Sequence, residues 1–379
     1  MDRSRKTFVL EVLSKEENFS VLCRKYGISR KTGYKWLHRF NNGEPLVNQS
    51  KAPFHTPNKT SHETEKIILN LRDEHPAWGA RKLKKRLENL GHQGLPASST
   101  ICNILKRNGR VSKEESMKHT AYKRFERPFP NDLWQADFKG YFILTNGRKC
   151  FPLTVLDDHS RYSLCVDAKY NERLKGVKTS FSRIFREFGL PNTLLCDNGN
   201  PWGTSQSVGY TRFEVWLMDL DILTIHGRAW HPQTQGKEER FHRTMKAEAL
   251  KGKLLCNKKD AQKNFDIFRS SYNNERPHDA LKLDVPAEHY KKSNRTMPRK
   301  IREWTYPSIT NLRKVKSTGY FNFKNQGYFL SEALIGKQIG ITESEKSNVF
   351  NLMYRDFLIA KLNIDERILV SRKIRRLDR

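Results

Sequence analysis

Between Leu133 and about residue 250, apolar runs switch between strand length and helix length in an order that leaves few folds open. LWQADFKGYFIL and KCFPLTVLDD read as strands parted by Thr145-Asn146-Gly147, and Asn-Gly is the strongest short hairpin signal. RYSLCVDAK reads as a third strand. NERLKGVKTSFSRIFREFG is an amphipathic helix that stops at Gly189 and Pro191. A short strand (TLLCD), a helix carrying Phe213, Trp216 and Leu217, another short strand (ILTIH) and a helix from about Gln235 follow. The order βββαβαβα predicts an α/β core, a mixed five-stranded sheet with flanking helices.

The flanks differ in kind. Residues 6–41 read as a helix-turn-helix, with one apolar stripe from Phe8, Leu10, Val12 and Leu13 and another from Phe19, Val21, Leu22 and Tyr26. Gly27 supplies the turn and Ser29 the N-cap of a last helix carrying Arg30, Lys31 and Lys35. Such a helix enters the major groove with its N-terminal residues toward the bases. Residues 42–62 read as a linker rich in Asn, Pro, Ser and Thr. HPAWGARKLKKRLENLG and TICNILKRNG, joined by a turn with Ser98 as the expected cap, give a second unit of the same kind. Past Pro130 the core begins, and roughly 313–366 returns to short strands (YFNF, GYFL, KQIGIT, FNLMY), a small barrel or sandwich.

Three acids stand out in the core. Asp137 lies on a strand whose other face carries Trp134, Ala136 and Phe138; Asp197 closes TLLCD before an Asn198-Gly199 turn; Glu239 lies on the last helix. On that helix Glu239 shares a face with Arg243 and Lys246, one and two turns on, whereas Glu238 points about 100° away. The pattern offers an acid for metal and bases for phosphates. Magnesium prefers hard oxygens and keeps several waters, so a few carboxylates plus substrate phosphates complete its shell. Two such ions activate an attacking oxygen and stabilise a leaving one. A rival metal set would use His226, His231 and His242, or the Glu239–His242 pair, but no HExxH motif accompanies it, and a Ser/His/Asp hydrolase lacks its GxSxG elbow. DDHSR, from Asp157 to Arg161, reads as a turn held by its own side chains.

Composition agrees with a polyanionic partner. Lys and Arg number 71 against 41 Asp and Glu, a formal net charge of +30 in 379 residues. No run reaches membrane-spanning length and MDRSRKTFVLEVL lacks a signal-peptide core, which argues against a membrane partner. Six scattered cysteines without a CxxC pair predict reduced, mostly buried thiols and a cytoplasmic protein.

The βββαβαβα order is that of the ribonuclease H-like core. Together, WQADFKG, LDDHSRY, CDNGNPWG, HPQTQGKEERFHRTMKAE and YNNERPHDALKLDVPAEHY resemble bacterial insertion-sequence transposases, which share their core with retroviral integrases. The resemblance implies a DDE recombinase that nicks the ends of a mobile element and joins the free 3′-hydroxyls to target DNA. It places the metal-binding, catalytic acids on Asp137, Asp197 and Glu239, and a DNA-contacting base on Lys246. It further implies Mg2+ or Mn2+, two ions per site, double-stranded DNA as partner and at least a dimer. Helix-turn-helix patterns stand where retroviral integrases carry a His/Cys zinc unit, so no structural zinc is expected. The expected domains are 1–58 and 59–116 (DNA-binding), 117–295 (catalytic core) and 302–379 (a small all-β, barrel-like domain with a basic tail). The alternatives are a non-catalytic DNA-binding regulator and a structure-selective nuclease on the same core; the retained acids oppose the first and the two reading heads the second.

Overall fold

The computed structural model describes residues 2–48, 59–111, 126–203, 209–227, 236–308, 310–370 and 374–377. His231 and the HPQTQ string, most of the polar stretch before Glu126, and parts of the basic tail lie outside the described residues. The chain divides into two units, Met1–Thr60 and Ser61–Arg379.

In the first unit, α1 (Asp2–Ser14), α2 (Phe19–Lys25) and α3 (Arg30–Asn41) close on Phe8, Val9, Leu22, Cys23 and Trp36. Ser29 caps α3, its hydroxyl accepting from the Thr32 N–H at 3.2 Å, and Gly27 takes a φ of +61° in the turn. A Cβ on Gly33 would stand within 3.0 Å of Cys23, Phe19 and Phe8, so the helices cross where side chains are smallest. The expected stripes need correction: Leu10, Leu13 and Val21 are exposed, and Val9 and Cys23 are buried.

The second unit begins with three helices rather than the two read from sequence: α4 (His62–Glu74), α5 (Ala80–Asn89) and α6 (Ser98–Arg107). Ser61 caps α4, accepting from the Thr64 N–H at 3.2 Å. Ser98 is the first residue of α6 and Ala97 holds the cap position, without a side-chain bond. Trp78, Leu83, Leu87, Ile101 and Ile104 form the core of this bundle.

The central sheet contains β1 (Leu133–Phe138), β2 (Phe142–Ile143), β3 (Lys149–Asp157), β4 (Ser163–Lys169), β5 (Thr193–Cys196) and β6 (Leu223–His226). β1 runs antiparallel to β3 and parallel to β5; β5 is parallel to β6, and β3 antiparallel to β4 and β2. The mixed sheet therefore has six strands, because the run after Leu133 breaks at Gly140 (φ +82°) and resumes as the two-residue β2. Helices α7 (Leu174–Phe188) and α8 (Arg212–Asp219) cover one face, where Phe181, Phe185 and Phe213 meet Trp134 and Ala136. Helices α9 (Gly236–Met245) and α10 (Lys258–Asn274) cover the other, where Phe241, Met245 and Phe265 meet Leu156 and Val166. Strand alternation thus turns Asp137 toward α9.

The C-terminal strands β7 (Asn311–Lys314), β10 (Gln338–Glu343), β11 (Val349–Tyr354), β12 (Phe357–Asn363), β13 (Ile368–Val370) and β14 (Arg375–Arg376) form an antiparallel sheet. The hairpin of β8 (Tyr320–Phe323) and β9 (Gln326–Phe329) lies apart from its pairings. Their core takes in Val215 and Met218 of α8, and Asp219 accepts from Lys337 Nζ at 2.8 Å and Arg355 Nε at 3.1 Å. No helix among the described residues is long and apolar enough to cross a membrane.

Candidate active site

Three elements carry the three acids toward one place. Asp137 is the fifth residue of β1, Asp197 follows β5, the strand beside it, and Glu239 lies in the first turn of α9. The start of α9 is fastened to the turn after β3 by Asp158, which accepts from Lys237 Nζ at 2.5 Å, Gln135 Nε2 at 2.6 Å and the Arg127 N–H at 2.8 Å. The 157–161 turn is self-held as expected, with Asp157 accepting from Ser160 and Asn131, but Asp158 also spans three separate segments.

The acids feel one another. Burial first, then the charge of Asp197, and more weakly those of Glu172 and Glu239, push the Asp137 carboxyl up to about 7. Asp137 Oδ1 accepts from the Phe138 N–H at 2.8 Å and Asp197 Oδ1 from the Gly199 N–H at 2.9 Å. The other oxygen of each accepts no hydrogen bond from a described residue. Even so, no three His, Cys, Asp or Glu side chains among the described residues stand close enough to grip a metal as placed. The donor set fits a hard divalent cation in its chemistry: carboxylate oxygens held in mutual repulsion, with lone pairs unspent.

Glu238 and Glu239 part company. Glu238 is 1% exposed, and burial, then Asp137, hold its carboxyl far above the usual range; Glu239 is exposed. His242 is pushed down to about 4 by burial and by the Lys139 charge, so it is neutral near pH 7. Its Nε2 lies 2.8 Å from Thr154 Oγ1 and its Nδ1 4.0 Å from Asp137 Oδ2. Of the rival histidine set, His231 lies outside the described residues, and His226 spends Nδ1 on the Asp197 carbonyl at 2.7 Å and Nε2 on Glu214 at 2.9 Å.

Arg243 and Lys246 are exposed like Glu239, in the register expected of one helical face. Lys246 opens a π-helical turn, Lys246–Leu250. Lys139, which sequence reading passed over, has its ammonium pushed down by burial and by Lys246, so the two bases flank the same edge. Glu172 was also missed; burial and Asp197 raise its carboxyl. Its only sequence signal is its place in the loop after β4.

In the first unit, Arg30, Lys31 and Lys35 are exposed along α3, with Lys35 Nζ 5.0 Å from the Trp36 ring centroid. Arg39 turns inward and donates to the Val47 carbonyl at 2.7 Å. On α5 three bases make ion pairs with the core: Arg81 and Lys82 with Asp279 at 3.0 and 3.3 Å, and Arg86 with Glu275 at 3.5 Å. Trp78 Nε1 donates to Glu248 at 3.1 Å, where Arg276 also binds.

The integrase core domain family matches residues 127–232, and a second family of that description matches 220–286. A helix-turn-helix domain matches 4–54 and a homeodomain-like domain 32–105. An uncharacterized 31.7 kDa protein of insertion element IS407 from Burkholderia multivorans is 26% identical over 257 residues, covering 64% of this chain and 87% of that protein. A protein named as a transposase for insertion sequence element IS5376, from Geobacillus stearothermophilus, is 21% identical and covers 95% of this chain and 88% of its own length. A Gag-Pol polyprotein of baboon endogenous virus is 27% identical over 205 residues, which are 52% of this chain and 11% of the polyprotein.

Proposed function

We propose that the chain is a DDE transposase, a polynucleotidyl transferase built on the integrase core, and that its parts act accordingly. It binds the ends of a mobile DNA element, hydrolyses a phosphodiester there to free 3′-hydroxyls, and joins these to target DNA. One observation carries the reading of the site: Asp137 on β1 and Asp197 after the neighbouring β5 stand close enough to repel one another, and Glu239 on α9 adds to that field.

Asp137, Asp197 and Glu239 would hold Mg2+ or Mn2+, two ions per site. Bound divalent ions supply a nucleophilic oxygen at neutral pH and neutralise the charge on the leaving oxygen. Lys246, Arg243 and Lys139 edge these acids with positive charge and hold the phosphates of the DNA end. Gly199 turns its N–H back onto Asp197, which fixes that carboxylate on a short loop. Burial of Glu238 keeps a second acid out of the solvent-facing rim.

The same reading divides the labour along the chain. Residues 1–58 and 59–116 recognise the element ends, with Arg30, Lys31 and Lys35 toward DNA. Residues 117–295 cut and join, and 302–379 add a small β domain whose barrel-like closure belongs to this proposal. Two ends must be joined, so the working form is at least a dimer on DNA, acting in the cytoplasm where the nucleoid lies.

The test is direct. Purified protein with Mg2+ and a duplex carrying the inverted repeat that flanks its gene should yield recessed 3′-hydroxyl ends and joined products. Absence of cleavage at that repeat, or equal products from Asp137→Asn protein, would overturn the proposal.

A further inference from the structure

The register of β1 on β3 sets Asp137 opposite Thr154, so both side chains point from the sheet toward α9. There Thr154, fully buried, gathers three groups around one hydroxyl. Its Oγ1 lies 3.1 Å from the Asp137 carbonyl oxygen, 3.1 Å from Glu238 Oε2 and 2.8 Å from His242 Nε2. Leu156, Val166, Phe241 and Met245 pack as an apolar cluster on the same face of the sheet. Polar groups buried in such surroundings cost stability unless they are bonded. This knot therefore stands where packing alone would favour hydrocarbon.

We propose that His242, braced by Thr154 and Glu238, is a positioning residue that orients the Asp137 carboxylate for metal. Which imidazole nitrogen carries a proton is set by the hydrogen bond the other one makes. If Nε2 accepts from the Thr154 hydroxyl, the proton resides on Nδ1, the atom that faces Asp137 Oδ2 at 4.0 Å. That separation exceeds a hydrogen bond by about 1 Å. Catalytic contacts of this kind often tighten only when the site is loaded. With that one proton Thr154 fixes the ring from behind, and its Oγ1 lies beside the Asp137 carbonyl oxygen and Glu238 Oε2. Glu238 fills the remaining side, with Oε1 lacking a hydrogen-bond partner. Its contribution is one of shape and a single bond, so glutamine can stand in for it.

The inference rests on the reading of Asp137 as a metal carboxylate, and the test separates the two. Mn2+ affinity of the DNA-free full chain is measured calorimetrically for wild type, Asp137→Asn, His242→Leu and His242→Asn, with thermal melts confirming folding. Partners one step behind a ligating carboxylate typically change metal affinity by roughly 10–100-fold. His242→Leu should weaken Mn2+ by that factor while leaving end-DNA affinity in place, and added Mn2+ should restore its cleavage. His242→Asn, which keeps an N–H near the Nδ1 position, should recover most of the affinity. Thr154→Val, which removes the hydroxyl and keeps the volume, should shift affinity the same way, and it decides the matter if His242→Leu does not fold. Normal Mn2+ binding by Asp137→Asn would overturn the metal reading itself. Loss in Asp137→Asn with wild-type affinity in both His242→Leu and Thr154→Val would overturn the positioning role alone, as would equal loss in His242→Asn and His242→Leu.

Discussion

Glu238 and Glu239 are consecutive residues that α9 divides between two environments: Glu238 is sealed against Thr154 at 3.1 Å, and Glu239 is exposed. Glu239→Gln should therefore abolish strand transfer. Glu238→Gln, already matched to a neutral buried acid, should keep activity within about tenfold, about 1.4 kcal/mol. A strand-transfer assay on both proteins decides it. Equal inactivity would mean that the third acid is not Glu239 alone.

Asp137→Asn should bind element ends nearly as the wild type does and fail to cut them. Losing several kcal/mol of metal assistance amounts to roughly a thousandfold or more in rate. Gel-shift and cleavage assays on the same preparation check both halves. Cleavage at a near wild-type rate would remove Asp137 from the site.

Lys246 is exposed at the start of the π-helical turn and close enough to Lys139 to depress its ammonium. Lys246→Ala should weaken end binding and reduce the slope of log K against log salt by about one unit. Titrations at several salt concentrations measure this. Superimposable lines for the two proteins would return the side chain to solvent.

Lys82 gives a pH signature away from the acids. Burial, then the Arg276 charge, lower its ammonium to about 8 in the fold, from an ordinary value of 10.5, with Asp279 opposing. Between those values the unfolded chain binds the extra proton, so folding stability rises with pH there. The cost of the buried charge is present in full below pH 8 and is relieved by pH 10.5, up to ~3 kcal/mol. Lys82→Met should unfold at higher urea than the wild type at pH 7, and the difference should shrink steadily as pH rises from 8 to 10.5. A difference independent of pH would contradict it.

Local signals were read well where local chemistry decides. Ser29 caps α3, Asn146-Gly147 turns β2 into β3, and Gly189 ends α7. Helical spacing set Glu239 and Glu238 on different faces, and one is exposed and the other buried. What was not legible depends on distant partners. Leu10 and Leu13 look like core residues, yet α1 turns Phe8 and Val9 inward because Gly33 lets α3 approach on that side. Nothing near Val215 or Met218 announces that α8 will share a core with strands a hundred residues later. The basic run of α5 gives no hint that Asp279 and Glu275 will stand opposite Arg81 and Arg86. The Thr154 knot joins residues 84 and 88 positions apart, and no motif spans that gap.

The seat of Trp78 against Glu248 has a metrical consequence. It moors α4–α6 to the helical run that carries Glu239, with the Arg81 and Arg86 ion pairs as further stays. Whatever stretch of duplex those helices grip is then held at a set span from the acids, as by a caliper. Each base pair added between grip and cut would swing the scissile bond by about 35° around the duplex, given 10–10.5 base pairs per turn. Half a turn would present the opposite side of the helix. On the proposed function, the place of the nick would follow from the spacing within the element's own end, with no base contact needed in between.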